Sequence, residues 1–190
     1  QKTLRGPRGG FILAESTMAN KIDKAVFPFS QGGPLMNIIA AKAVCFREAM
    51  SDTFEEYSKA IVRNSKILAR HLSEAGIRVV SGGTDNHLIL VDLSSLGIKG
   101  IEAEEALGKV SVVVNKNAIP NDPEPPRITS GLRLGTAAVT TRGFGPTEME
   151  KIGDIILKVL VSCRDGSEYE SIKGDVENLA SSFPVVGLDV

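Results

Sequence analysis

Histidine and cysteine are both scarce in this sequence. His71 and His87 are its only histidines, and Cys45 and Cys163 its only cysteines. None of the four stands at motif spacing from another, which argues against a zinc site and against a disulfide framework. Both cysteines fall in helical patterns and are expected to be buried free thiols, which suits a reducing compartment such as the cytoplasm. A charge excess is also missing: 22 basic residues face 23 acidic ones, for a net charge of −1. Without a basic block, neither nucleic acid nor an anionic membrane surface is an expected partner. No stretch approaches the roughly 18 apolar residues that a spanning helix needs, and the first five residues are not those of a signal peptide. The chain opens on Gln1 in a polar, glycine-rich segment, which leads us to expect a piece of a longer protein.

What is present is an ordinary globular balance, 42% hydrophobic and 24% charged. Arg5-Gly6-Pro7-Arg8-Gly9-Gly10 reads as a loop, Phe11 to Ala14 as a short buried strand, and 17 to 26 as a weak helix. Phe27 to Pro34 is a second loop, and 35 to 50 a helix apolar on most faces, expected in a core or a subunit interface. Thr53 and Glu56 are spaced as a capping box for the next helix. Ile61, Leu68, Leu72 and Ala75 line one face of it, and Gly76 ends it. Strands are expected at 77–80, 87–91, 110–114 and 132–135, with helices at 101–108 and 147–162. A final helix carries Ile172, Val176, Leu179 and Phe183 and stops at Pro184. Helices mixed with short strands make the fold class α/β. The expected domain boundary lies between the apolar helix and the amphipathic one, giving residues 1–52 and 53–190.

A few residues invite chemical readings. Lys2 is either a solvated surface charge or a group beside an anion-binding loop, since Arg5 and Arg8 could present guanidinium forks to a phosphate. Gln31-Gly32-Gly33-Pro34 precedes a helix; it is either a plain turn or a place where a ligand meets free backbone N–H groups. Arg133, between Leu132 and Leu134, must either pair with a buried acid or grip a bound carboxylate. His87 reads as a hydrogen-bonded structural residue at the start of a strand. Asn115 and Asn117 read as turn formers that could also bind a polar ring.

Taken in order, several strings resemble serine hydroxymethyltransferases. They are Lys2-Thr3-Leu4-Arg5-Gly6-Pro7-Arg8-Gly9-Gly10, Gln31-Gly32-Gly33-Pro34, Ser81-Gly82-Gly83-Thr84-Asp85-Asn86-His87, Val114-Asn115-Lys116-Asn117, Pro120-Asn121-Asp122-Pro123 and Thr129-Ser130-Gly131-Leu132-Arg133-Leu134-Gly135-Thr136. The loop Thr140-Thr141-Arg142-Gly143-Phe144 fits as well. The resemblance implies a fold-type I pyridoxal-phosphate enzyme. Residues 1–52 would be the end of its large cofactor-binding domain, and 53–190 its small C-terminal α/β domain.

It also implies roles. Lys2 would carry pyridoxal 5'-phosphate covalently, Arg133 would hold the substrate carboxylate, and Arg8 would be an active-site arginine. Gly32 and Gly33 would lie where a partner subunit meets the cofactor phosphate, which implies a homodimer or larger assembly with shared sites. Asn117 and the loop Pro125-Pro126-Arg127 would meet tetrahydrofolate. The implied reaction interconverts serine plus tetrahydrofolate with glycine plus methylenetetrahydrofolate.

The sequence departs from the family's pattern in places. Gln1 stands where the family has histidine, and an amide does not titrate near neutrality as imidazole does. Phe29 and Ser30 replace a glycine and a varied residue. Pro125-Pro126-Arg127 replaces a serine-proline-phenylalanine-like stretch. Members of the family are longer than this chain, so the resemblance implies a fragment lacking the N-terminal half. The departures at Gln1 and at 125–127 keep open a folate-independent, threonine aldolase-like reaction on the same fold. The shortness of the chain keeps open an inactive truncated product.

Overall fold

A computed structural model describes residues 1–185 and Gly187. The chain divides into two compact units, Gln1–Glu56 and Tyr57–Val190. The division falls inside a long helix, four residues beyond the boundary expected from the sequence. No helix among the described residues is long and apolar enough to cross a membrane.

The first unit holds helix α1 (Ser16–Lys24), an irregular turn at Ala25–Ser30, helix α2 (Met36–Ala49) and the start of α3 (Asp52–Glu74). Phe11 to Ala14 is not a strand. An isolated extended segment leaves its backbone groups unpaired, and no strand of the unit lies ready to pair with it. Helix α2 spans almost the expected residues, but Cys45 is its one buried side chain. Leu35, Met36, Val44 and Met50 are exposed, as are Phe11, Ile12, Leu13 and Phe29. Of the two settings expected for this helix, a core or a subunit interface, the described residues of this chain do not provide the core.

Helix α3 begins earlier than the Thr53–Glu56 capping box predicts. Ser51 is the capping residue, its Oγ accepting from the Phe54 N–H at 3.3 Å. The helix then buries Ile61, Asn64, Ser65, Leu68, Ala69 and Leu72, a stripe at helical spacing. Ala75, expected on that stripe, is exposed. Gly76, at φ +88°, closes the helix in a Schellman turn, with the Ile77 N–H donating to the Leu72 carbonyl at 3.0 Å.

The second unit is built on a four-stranded antiparallel sheet in the order β1-β2-β4-β3. The strands are β1 (Arg78–Val79), β2 (Leu88–Asp92), β3 (Asn115–Asn117) and β4 (Gly131–Gly135). Helices α4 (Gly100–Lys109), α5 (Ala137–Thr141), α6 (Pro146–Val161) and α7 (Tyr169–Ser181) complete it. Ile89, Val91, Leu132 and Leu134 join Leu68 and Leu72 of α3, Ala103 and Leu107 of α4 and Met149, Ile156 and Val159 of α6 in one core. The sheet packs its helices against one face, burying one side of β1, β2 and β4.

The strand expected at 110–114 is displaced. Val110 and Ser111 instead close α4, Ser111 at φ +66°, and the Val112 N–H returns to the Leu107 carbonyl at 2.9 Å. Pairing starts only at Asn115, opposite Arg133. Helix closure took the β-branched residues before the sheet could. The short helix α5 carries no strong periodic signal and was not expected.

Gly131 marks the tightest point of the sheet. A Cβ there would lie 2.6 Å from Ile119 Cγ2 and 2.7 Å from the Val91 carbonyl oxygen. Two of its neighbours are backbone carbonyls of flanking segments, which cannot move aside. Gly131→Ala is therefore expected to destabilise the chain by about 1–3 kcal/mol, the usual range for overpacking. Urea denaturation should show a lower midpoint with an unchanged slope.

Candidate active-site residues

The Lys2 segment lies on helix α2. The Arg5 N–H donates to the Lys2 carbonyl at 3.0 Å, and Arg5 sits at φ +55°, so Lys2 stands at the head of a tight turn. Its side chain and that of Arg8 are exposed. Below the turn, the Cys45 thiol donates to the Leu4 carbonyl at 3.2 Å, and Lys42 Nζ donates to the Gly10 carbonyl at 2.8 Å. The Phe11 ring meets the edge of Phe46, with centroids 5.3 Å apart. Arg5 lies 5.7 Å from the centre of the Phe54 ring, at cation–π distance.

Gly32 and Gly33 do not open helix α2 directly, because the helix starts at Met36. Nothing in the described chain lies within 4 Å of a Cβ built on either glycine, and neither has positive φ. Neither internal crowding nor backbone conformation demands glycine there. Both positions are open to close approach from outside the chain.

In the second unit, antiparallel register sorts the side chains of β4. Leu132 and Leu134 enter the core, so Arg133 faces the other way. Its cross-strand neighbours are Leu90 and Asn115. Arg133 Nη2 donates to Asn115 Oδ1 at 3.2 Å, and no carboxylate among the described residues reaches ion-pairing distance of it. Arg133 and Asn117 line one cleft of about 920 Å³ with the Ser81–Asn86 loop and Lys66 and Arg70 of α3. The acids in that cleft already have partners, Asp85 with Lys66 at 3.7 Å and Glu74 with Arg70 at 3.9 Å. Of the two alternatives the sequence left open for Arg133, the buried acid is not found.

The Ser81–Asn86 loop was recognised in the sequence without a role. It holds its shape by local bonds: the Leu88 N–H donates to Asn86 Oδ1 at 2.8 Å, and Thr84 Oγ1 donates to the Leu88 carbonyl at 2.6 Å. Asn117 Nδ2 turns back to the Ala118 carbonyl at 2.8 Å. His87 is partly buried, and its carbonyl accepts from the Thr136 N–H. Pro125, Pro126 and Arg127 are exposed and do not line the cleft of Arg133.

Asp122 organises the loop that carries those three residues. Its carboxylate accepts from the Ser130 hydroxyl at 2.7 Å and from the N–H groups of Glu124, Ser130 and Ile119 at 2.9 to 3.1 Å. Burial pushes its pKa up, but those four bonds more than offset it and hold the group at about 2. At the sheet edge, Lys116 grips Glu104 of α4 through both its ammonium and its backbone N–H, which lowers the Glu104 pKa. Among the described residues, no group of three His, Cys, Asp or Glu side chains gathers as a metal site would require.

Residues 1–156 match the model of the family described as serine hydroxymethyltransferase. The chain belongs to that family. A serine hydroxymethyltransferase from Methanospirillum hungatei is 54% identical over 184 residues, which are 97% of this chain and 44% of that protein. The chain thus spans less than half the length of this curated relative. The family's match runs across both units and takes in Lys2, Gly32, Gly33, Asn117 and Arg133.

The residues of the first unit suit pyridoxal phosphate, the family's cofactor. They offer an exposed primary amine, the exposed guanidinium of Arg8, and two glycines with no described residue within 4 Å of a Cβ built on them.

Two groups escaped sequence reasoning. One is the Lys42, Cys45 and Phe46 face under the Lys2 turn. The other is Asn115, read as a turn former, which is the side-chain partner of Arg133. The spacing of Lys42, Cys45 and Phe46 on one helical face was the available signal, but the helix read as apolar on most faces and hid it.

The state of Asp122 gives a pH prediction. Its folded pKa lies below its ordinary 3.8, so its contribution to stability is complete above about pH 4 and disappears as the pH falls through about 2. Asp122→Asn should be less stable than the parent at neutral pH, by about 1 kcal/mol after allowance for solvent screening. The gap should close between about pH 4 and pH 2 when thermal midpoints are compared.

Proposed function

We propose that this chain supplies the cofactor lysine and the carboxylate clamp of a serine hydroxymethyltransferase. The reaction is the pyridoxal-phosphate-dependent interconversion of serine plus tetrahydrofolate with glycine plus methylenetetrahydrofolate. The observation that carries the reading is Arg133. It is a partly buried guanidinium in a cleft whose acids are already paired, and its own fork meets only an amide oxygen. Such a group recognises a planar carboxylate through two parallel bonds. By fixing the carboxylate, Arg133 fixes the orientation of the substrate's Cα bonds, which is how position alone lowers a barrier.

Lys2 would hold the cofactor covalently, its ε-amine being the primary amine this turn presents to an aldehyde. When bound, the cofactor's ring supplies the electron sink for carbanion chemistry. Arg8 offers a further cation on the same turn. Gly32 and Gly33 leave room for a phosphate or a neighbouring backbone. Asn117, in the Arg133 cleft, and the exposed Pro125-Pro126-Arg127 loop are the folate contacts. Gln1, an amide where relatives carry imidazole, tunes specificity without taking up a proton.

Residues 1–52 are the end of the cofactor-binding domain and 53–190 the small domain. The bare apolar faces of the first unit support an assembly, a homodimer with shared sites. The two free thiols suit the cytoplasm.

The experiment uses the protein that contains this chain. Arg133→Lys keeps the charge but loses the fork. It should raise the serine concentration for half-saturation about tenfold or more, with a smaller change in maximal rate. Lys2→Gln should abolish covalent capture of pyridoxal phosphate, read by borohydride reduction and peptide mapping. Serine cleavage that proceeds equally well without tetrahydrofolate would overturn the proposal in favour of a folate-independent aldolase.

A further inference from the structure

Lys2 gains its position from a turn, and a turn of this composition does not hold itself. Residues 5–10 include three glycines, which leave the backbone free to wander. The turn has one internal backbone bond, from the Arg5 N–H to the Lys2 carbonyl. What fixes it must come from elsewhere in the first unit.

Three residues of α2 meet the segment. Lys42, Cys45 and Phe46 are spaced i, i+3 and i+4, so they share one face of the helix. Each meets a different part. Cys45, 7% exposed, donates its S–H to the Leu4 carbonyl. Lys42 donates to the Gly10 carbonyl, and Phe46 takes the Phe11 ring edge to face.

Two of the glycines match this face sterically. A Cβ on Gly6 would lie 2.6 Å from Cys45 Sγ. A Cβ on Gly9 would lie 2.8 Å from both Cε and Nζ of Lys42, at φ +149°. The family-like string Gly6-Pro7-Arg8-Gly9-Gly10 thus has a local mechanical reason beside any role toward phosphate. Its glycines let the backbone lie down on α2. Gly10, with nothing near its Cβ position, contributes its carbonyl instead.

We infer that Lys42 and Cys45 are positioning residues for Lys2, clamping the lysine turn onto α2 from both ends. Neither touches the reacting amine. Lys42 is the stronger arm, because a bond from an ammonium is worth more than one from a thiol. The inference rests on the reading of Lys2 as the cofactor lysine.

The test uses the full-length protein free of cofactor, and Cys45 itself reports on the clamp. Its thiol lies under the turn and should alkylate slowly with iodoacetamide. Cys163, in the second unit, is the internal control. Lys42→Met keeps the stem and removes the donor. It should speed Cys45 alkylation about tenfold, the scale of one charge-assisted bond, and leave Cys163 unchanged. Lys42→Arg should restore much of the protection. Gly9→Ala, whose Cβ would fall on the Lys42 ammonium end and displace it from the Gly10 carbonyl, should expose Cys45 independently. In a second measurement, added pyridoxal phosphate is fixed with borohydride, and the rate of adduct formation at Lys2 is followed. That rate should fall in Lys42→Met and recover in Lys42→Arg.

Unchanged alkylation in both Lys42→Met and Gly9→Ala would overturn the clamp. So would equal acceleration at Cys45 and Cys163, which signals general loosening. Faster alkylation with a normal rate at Lys2 would overturn the positioning role. An adduct that maps away from Lys2 in the unaltered protein would sink the reading of Lys2 itself.

Discussion

A β-strand sends neighbouring side chains to opposite faces, and the second unit depends on that constraint at β4. Leu132 and Leu134 are drawn into the core by the helices behind the sheet. Arg133 is thereby driven to the other face, where its guanidinium donates to Asn115 Oδ1. A slip of one residue would bury the guanidinium and expose both leucines. The register is secured on both sides of β4, by five paired positions with β2 and three with β3. At its start, Gly131 admits neighbouring backbone too closely for any other residue. The orientation of one polar side chain is thus set by the apolar residues around it.

The first unit solves its positioning differently. It has almost no core of its own, and what order it shows around Lys2 comes from one helix face. The contrast has an energetic logic. Hydrophobic burial is non-directional and needs area, which this unit leaves exposed. Directed hydrogen bonds and glycine-shaped contacts work over a few atoms. They can fix a short segment where no core exists to do so.

Much of this was legible in the sequence. Helix α3, its Gly76 stop, α6 and α7 follow from apolar period and end signals, which are local properties. Strands β2 and β4 were legible because alternation survives in short segments. The failures have a common cause. The valines at 110–114 favour extended backbone, yet closing α4 claimed them first, and no local signal ranks those demands. The apolar composition of α2 pointed to a core or a subunit interface, and composition does not say which of the two covers a helix. The ordered strings carried the family where single residues did not. Arg133 stood between two readings until the paired acids of its cleft were seen. Lys42 went unnoticed because its partner is a backbone carbonyl, and any residue can supply one.

Asp122 ties together both ends of the loop between β3 and β4, through Ile119 on one side and Ser130 on the other. Between those ties the Glu124 N–H and the Pro125 carbonyl are also bonded, to Asp122 and to the N–H groups of Ile128 and Thr129, while the side chains of Pro125, Pro126 and Arg127 are exposed. Side-chain exchange at those three exposed positions therefore leaves the ties to β4 in place. Sequence can vary at Pro125-Pro126-Arg127 while the strand behind them keeps its register.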